Sequence, residues 1–188
     1  QPLIYDENIV EVCREAAFLE RNRNTDLIFE IDLPNTPIIV NCDRRQIAQA
    51  LTNLLKNASE SIEARLTSKS LSSEPGQITL RLINGVSDMA PQGETNGAVS
   101  IIIEDNGVGL PLDKGRLTEP YVTTREKGTG LGLAIVRKIM EDHHGRFVMD
   151  DRPNGGASVS MIFENAEDRQ ITASNGTDQN LKTQANSS

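Results

Sequence analysis

The chain has 188 residues, enough for one ordinary domain with material left over and too few for two comfortable ones. Hydrophobic residues make up 37% and aromatics 3%, with no Trp, so any core must be aliphatic. Nineteen Lys and Arg against 27 Asp and Glu leave a net charge of −8, which repels a polyanion; with no strongly basic block to reverse it locally, nucleic acid is not an expected partner.

Cys13 and Cys42 share no C-x-x-C or Cys/His spacing, so neither a disulfide framework nor a structural zinc site is indicated. No apolar run approaches the roughly 18–20 residues that cross a bilayer, and no signal peptide opens the chain. Gln1 to Tyr5 (QPLIY) reads as the interior of a longer protein, so the chain is expected to be a soluble fragment without direct membrane contact.

Asn8 to Arg21 carries apolar residues at Ile9, Val12, Ala16 and Leu19, a helical stripe. Leu27 to Leu33 is strand-like and stops at Pro34, and Pro37 to Asn41 reads as a second short strand. Asp43, with Gln46 three residues on, looks like the capping box of a long helix running to about Arg65. Ile47, Leu51, Leu54, Leu55, Ala58 and Ile62 recur along it with the 3.6 period and define one buried stripe.

Leu66 to Gly76 is a polar loop, and Gln77 to Ile83 and Ala98 to Glu104 read as strands. Between them Asn84 to Gly97 is a Gly/Asn/Pro-rich insertion. Asp105 to Lys127 has no sustained period. Gly128 to His144 is helical, with Leu131, Ile135 and Ile139 on one side and Leu133, Val136 and Met140 on another, a two-sided pattern that predicts a buried helix. Gly145 to Asp150 and Ala157 to Phe163 close the domain as strands joined across Pro153-Asn154-Gly155-Gly156. Glu164 to Ser188 lacks aromatics and periodicity and is expected to be a disordered tail, leaving residues 1–163 as the folded domain.

Three segments are candidates for chemistry. Asn53 and Asn57, spaced i, i+4 in the long helix, lie one turn apart. At about 100° per residue Asn57 falls on the flank of the apolar stripe and Asn53 nearly opposite its centre. The bland reading is a solvated polar face; the functional one is a pocket wall where an amide oxygen helps hold a divalent cation, Mg²⁺ being suited to few protein ligands plus phosphate oxygens.

The second is Ile101 to Pro111, an apolar strand ending in acids and then Asp105-x-Gly107-x-Gly109. Asn106-Gly107 favours a hairpin turn, but no alternating strand follows. Alternatively, a carboxylate at a strand end accepts a hydrogen bond from a base amine, while the glycines let the backbone pass close to a flat ring. The third is Gly128-Thr129-Gly130-Leu131-Gly132-Leu133, running into a helix whose N-terminal N–H groups suit phosphate. Its spacing is neither the dinucleotide fingerprint nor a P-loop. Arg125 and Lys127 just upstream are either phosphate partners or solvated loop charges.

In order and spacing these segments resemble the ATP-binding catalytic domain of sensor histidine kinases, in the superfamily shared with gyrase, heat-shock chaperone ATPases and MutL. Leu51 to Ala58 (LTNLLKNA) is similar to the N box and Glu104 to Gly109 (EDNGVG) to the G1 box. Thr118 to Thr124 (TEPYVTT) resembles the F-box region and Gly128 to Leu133 (GTGLGL) the G2 box. The resemblance covers about residues 5–163, and the run from TEPYVTT to GTGLGLAIV looks most like nitrogen-regulation kinases of the NtrY type.

That resemblance implies an α/β two-layer sandwich: a mixed, mainly antiparallel sheet of about five strands, covered on one face by three helices, with a flexible ATP lid over about Leu110 to Lys127. It implies that Asn57, with Asn53 beside it, binds Mg²⁺ bridging the ATP phosphates, and that Asp105 accepts from the adenine amine between Gly107 and Gly109. Gly128, Thr129, Gly130, Leu131 and Gly132 would then meet the phosphates, with Thr123, Thr124, Arg125 and Lys127 on the lid.

The same resemblance implies a two-component kinase that passes the γ-phosphoryl group to a histidine on a dimerisation domain and thence to a response regulator. Its parent would sit in a bacterial inner membrane with this domain in the cytoplasm. The only histidines, His143 and His144, end the last helix, where an imidazolium would suit the helix dipole, so no phospho-acceptor is expected here. Hydrolase relatives carry a Glu where this chain has Asn53, and an amide is no general base at neutral pH, so rapid ATP hydrolysis is not expected. The competing reading is a non-catalytic nucleotide-binding or interaction module, against which the intact Asn57, Asp105 and three G2 glycines argue.

Overall fold

The computed structural model describes residues 2–68, 74–85, 98–110 and 131–164. Asn8 caps helix α1 (Ile9–Arg23) by accepting the Val10 N–H at 3.2 Å. Its buried face runs through Ile9, Val12, Cys13, Ala16, Ala17 and Glu20. Leu19, expected on that face, is instead exposed. At about 100° per residue, position 20 returns to within about 20° of Ile9 while position 19 lies about 80° away. The buried Glu20 carboxylate is matched to donors, accepting from Asn24 Nδ2 at 2.8 Å and from the Ser59 hydroxyl at 3.1 Å.

Helix α2 (Arg44–Thr67) is the central rod, and all six residues of its predicted stripe are buried. Burying each Leu or Ile contributes about 1.5–3 kcal/mol, so this stripe alone is a major part of the core. Asp43 caps it as expected, its Oδ1 accepting the N–H groups of Arg45 (3.0 Å) and Gln46 (3.3 Å). The reciprocal half of the box is absent. Gln46 Oε1 is buried without a partner among the described residues, and the Asp43 N–H donates to Nε2 of His143 at 2.9 Å.

Five strands form the main sheet in the order β2 (Ile28–Asp32), β4 (Gln77–Asn84), β5 (Val99–Asp105), β7 (Ala157–Phe163), β6 (Arg146–Asp151). Only the β2–β4 pair is parallel. The register Leu80↔Ile103↔Val159 and Leu82↔Ile101↔Met161 aligns one apolar face across the three central strands. Helices α1, α2 and α3 (Gly132–Asp142) pack side by side with α2 in the middle, closing the core over that face. The expected sandwich is the observed one.

A second sheet was not expected. Strand β1 (Tyr5–Asn8) pairs antiparallel with β3 (Ile39–Cys42), from Tyr5↔Cys42 to Asn8↔Ile39. YDEN has no apolar alternation to announce a strand; its pairing comes from a partner more than 30 residues away. In α3 the two-sided expectation is corrected to one face. Val136, Ile139 and Met140 are buried, while Leu131, Leu133 and Ile135 are half-buried.

Helix α3 ends in a Schellman motif, Gly145 N–H to Met140 O at 2.8 Å and His144 N–H to Glu141 O at 3.0 Å, with His144 at φ 54°. His143 is buried: Nδ1 lies 2.7 Å from the Ile139 carbonyl, and Nε2 accepts from Asp43. The ring therefore bridges the end of α3 to the start of α2, between the Ile139 carbonyl and the Asp43 N–H.

Candidate functional site

Helix α2 presents Asn53, Asn57 and Ser61 one turn apart, on the flank of the stripe that faces the core. Asn53 does not lie on a solvated face. It is half-buried, and its Nδ2 is buried with no hydrogen-bond partner among the described residues. Asn57 stands against the first turn of α3. A Cβ placed on Gly132 would be 3.7 Å from Asn57 Nδ2 and 3.8 Å from its Oδ1. The α3 N-terminus has Leu131 in the cap position with no side-chain cap, and the Ile135 N–H bonds back to the Leu131 carbonyl at 2.9 Å. A helix start with its partial positive charge and N–H groups therefore faces the Asn57 amide.

Asp105 ends β5 at the other end of this arrangement and is 5% exposed. Its Oδ1 accepts the Gly107 N–H at 2.8 Å. Burial pushes its carboxyl above the ordinary carboxylate range; the Gly107 N–H, the Ser61 hydroxyl, the Ala157 backbone and the Arg152 charge act against that. When ionised, such a group is an acceptor short of water, and a donor such as a base amine offsets its desolvation.

The turn after Asp105 is not a hairpin among the described residues. Asn106 stays with β4: its Oδ1 accepts the Gln77 N–H at 2.9 Å and its Nδ2 donates to Pro75 O at 2.9 Å. Gly107 lies so close to α2 that a Cβ would stand 2.2 Å from Ser61 Oγ and 2.5 Å from its carbonyl carbon. Beyond it, the Val108 N–H donates to Ser61 Oγ at 3.1 Å, and the Leu110 N–H to Asp151 Oδ1 at 3.1 Å.

The β6–β7 turn supports the backbone of Asp105 from behind. Arg152 Nη1 donates to the Asp105 carbonyl at 3.0 Å, and a Cβ on Gly156 would fall 1.9 Å from that oxygen. Of the expected site, Asn53, Asn57, Asp105, Gly107, Gly109, Leu131 and Gly132 are thus placed, on α2, on the turn after β5 and at the start of α3. Thr123, Thr124, Arg125, Lys127, Gly128, Thr129 and Gly130 lie outside the described residues. Ser61, Arg152 and Gly156 escaped the sequence reading. Extending the Asn53, Asn57 series by four reaches Ser61, but nothing local ties Arg152 or Gly156 to Asp105.

Among the described residues no group of three or more His, Cys, Asp or Glu is assembled to hold a metal. Residues 42–167 match the family described as histidine kinase-, DNA gyrase B- and HSP90-like ATPase. The nitrogen regulation protein NtrY of Azorhizobium caulinodans is 41% identical over 166 residues, 87% of this chain and 20% of that protein. A putative NtrY-like sensor histidine kinase of Rickettsia conorii is 41% identical over 124 residues, 65% of this chain and 18% of that one. The chain thus spans about a fifth of these relatives.

Among solved structures, the catalytic domain of histidine kinase ThkA superposes with a TM-score of 0.67 at 28% identity, covering 86% of this chain and 95% of that one. The mycobacterial sensor histidine kinase MprB shares the fold, with a TM-score of 0.68 at 24% identity over 86% and 97% of the two chains. With the match spanning most of the chain and the β5 carboxylate, the α2 amides and the α3 start on one side of the fold, the chain belongs to the histidine kinase-, DNA gyrase B- and HSP90-like ATPase family, an ATP-binding family.

Proposed function

We propose that this chain is the ATP-binding catalytic domain of a two-component sensor histidine kinase, which presents the γ-phosphoryl group of ATP to a histidine on a dimerisation domain of the same parent. The observation that carries this reading is the pairing of two ends on one rigid helix. Near Ser61, α2 meets the buried Asp105 carboxylate; near Asn57, it meets the start of α3.

The residues fit the substrate. Asp105 accepts from the adenine amine, and Gly107 and Gly109 keep the backbone low beside the ring. Gly132 and Leu131 offer the helix start to the phosphates, joined in this proposal by Gly128, Thr129 and Gly130. Thr123, Thr124, Arg125 and Lys127 complete the lid side. They fit Mg²⁺ as well: the half-buried Asn57 amide supplies a hard oxygen at the phosphate end, with the half-buried Asn53 amide one turn away. When bound, the ion supplies charge neutralisation between phosphates.

Phosphoryl transfer asks the protein mainly for positioning and for compensation of charge, which this set provides. Asn53 offers no general base, so water is left unactivated and an external imidazole is the nucleophile. Residues 1–163 form the domain and 164–188 a tail. No described helix is long and apolar enough to cross a membrane. In this proposal the parent is a membrane-anchored sensor whose catalytic domain is cytoplasmic, and a response regulator receives the phosphoryl group.

The test is ATP titration calorimetry, with Mg²⁺ and with chelator, on this chain and on Asp105→Asn. Expected are binding that chelator weakens and a loss of at least about tenfold in the variant, the scale of a hydrogen bond to a charged group. Absence of binding at millimolar ATP, or an unchanged Asp105→Asn, overturns the reading. Phosphotransfer is then scored on a supplied histidine-bearing domain, where steady hydrolysis without transfer would overturn the kinase role.

A further inference from the structure

The Asp105 carboxylate is only as selective as the turn that aims it, and between the anchors of Asn106 and Leu110 that turn rests on one residue of α2. Ser61 is 4% exposed. Its Oγ and its backbone carbonyl both accept the Val108 N–H, at 3.1 and 3.3 Å. Gly107 packs against the same Oγ and backbone, closer than any Cβ would allow, and its own N–H holds Asp105 Oδ1 at 2.8 Å.

A serine hydroxyl has one proton and two lone pairs. The Val108 N–H can only donate, so it fixes Oγ as an acceptor and turns the hydroxyl proton elsewhere; the carboxylate of Asp105 is the acceptor it faces. Ser61 also follows Asn57 by four residues, about 6 Å along the helix axis. One rigid element therefore registers the base end of the site against the phosphate end.

We propose that Ser61 is a positioning residue for base recognition: it sets the Asp105–Val108 turn so that the carboxylate meets an exocyclic amine, and it thereby determines the preference for adenine over a purine without that amine. This rests on the reading of Asp105 above. The preference acts through Asp105 and not through general packing, so the two residues behave as one unit.

The experiment measures the affinity of the whole chain for ATP and for purine riboside triphosphate, which has hydrogen in place of the amine. It compares wild type, Ser61→Ala, Asp105→Asn and the double variant, each shown folded by thermal melting. Ser61→Ala is expected to weaken ATP about three- to tenfold while changing the purine analogue less than about twofold, from the loss of one hydroxyl contact at a charged acceptor. It should also shift the pH at which ATP affinity changes upward, because a donor to the ionised carboxylate is gone.

In the Asp105→Asn background Ser61→Ala should add nothing. Equal weakening of both nucleotides, no weakening, or full additivity in the double variant overturns the proposal. Wild-type selectivity retained in Asp105→Asn instead overturns the underlying role of Asp105. Should Ser61→Ala fail to fold, Gly107→Ala perturbs the same contact from the other side, and it must lower the ATP to purine-analogue preference or the proposal fails.

Discussion

The turn between β6 and β7 offers a controlled test of what supports the Asp105 carboxylate. Gly155 and Gly156 share nearly the same positive φ, +90° and +88°, so alanine pays a left-handed strain of about 1–2 kcal/mol at either position. Alanine also narrows the unfolded chain by about 0.4–1 kcal/mol at both, and this cancels in the comparison. The surroundings differ. A Cβ at 155 meets nothing within 4 Å, whereas one at 156 stands 1.9 Å from the Asp105 carbonyl oxygen, 2.7 Å from its carbonyl carbon and 2.8 Å from Asn106 Cα.

All three neighbours are backbone, so no rotamer relieves the contact. Ordinary contact begins near 3.4 Å, and the turn or the end of β5 must open by about 1.5 Å. That movement strains the Arg152 bond to the Asp105 carbonyl and costs about 1–3 kcal/mol beyond the strain shared with Gly155. Urea unfolding of Gly155→Ala and Gly156→Ala gives the difference directly, and ATP titration reports the site. Gly155→Ala should retain ATP affinity and Gly156→Ala should lose most of it. Stabilities within about 0.5 kcal/mol of each other, with ATP affinity kept by both, would refute the argument that this turn carries Asp105.

Two further outcomes are expected. Because burial raises the Asp105 carboxyl above its ordinary 3.8, the native state holds that proton more tightly than the unfolded chain. Wild-type stability should therefore fall relative to Asp105→Asn as pH rises from about 3.8 through the raised native value; a flat or rising difference in ligand-free melts would contradict this. His143→Ala leaves the buried Asp43 N–H without its acceptor and opens a hole between α2 and α3, so it should cost about 2–4 kcal/mol in chemical denaturation. The exposed neighbour His144→Ala should stay within about 0.5 kcal/mol, and similar losses for both would remove the interhelical role of His143.

Much of what depends on near neighbours along the chain was legible in the amino-acid sequence. The six-residue stripe of α2, the Asp43 cap and the strands at 77–84, 99–105 and 157–163 follow from spacing within a turn or a pleat, and the boxes at 51–58 and 104–109 from resemblance to a family. The same information failed wherever a distant partner decided the outcome. Strand β1 exists because β3 offers it a ladder, and the N–H of Asp43 is taken by a histidine 100 residues on and not by Gln46. Asn53 is half-buried although its position opposite the centre of the stripe pointed to a solvated face.

The candidate site divides along the same line. That Asn57, Asp105 and Gly132 are candidates came from the resemblance of the boxes that hold them, since spacing alone left a solvated face and a hairpin turn open as readings. How Asp105 is held was decided only by tertiary structure. Its burial, the Ser61 contact, the Arg152 hydrogen bond to its backbone carbonyl and the close approach of Gly156 come from α2 and the β6–β7 turn converging on one residue. Periodicity records which face of an element is buried, but the desolvation of a charge depends on everything that surrounds it in space.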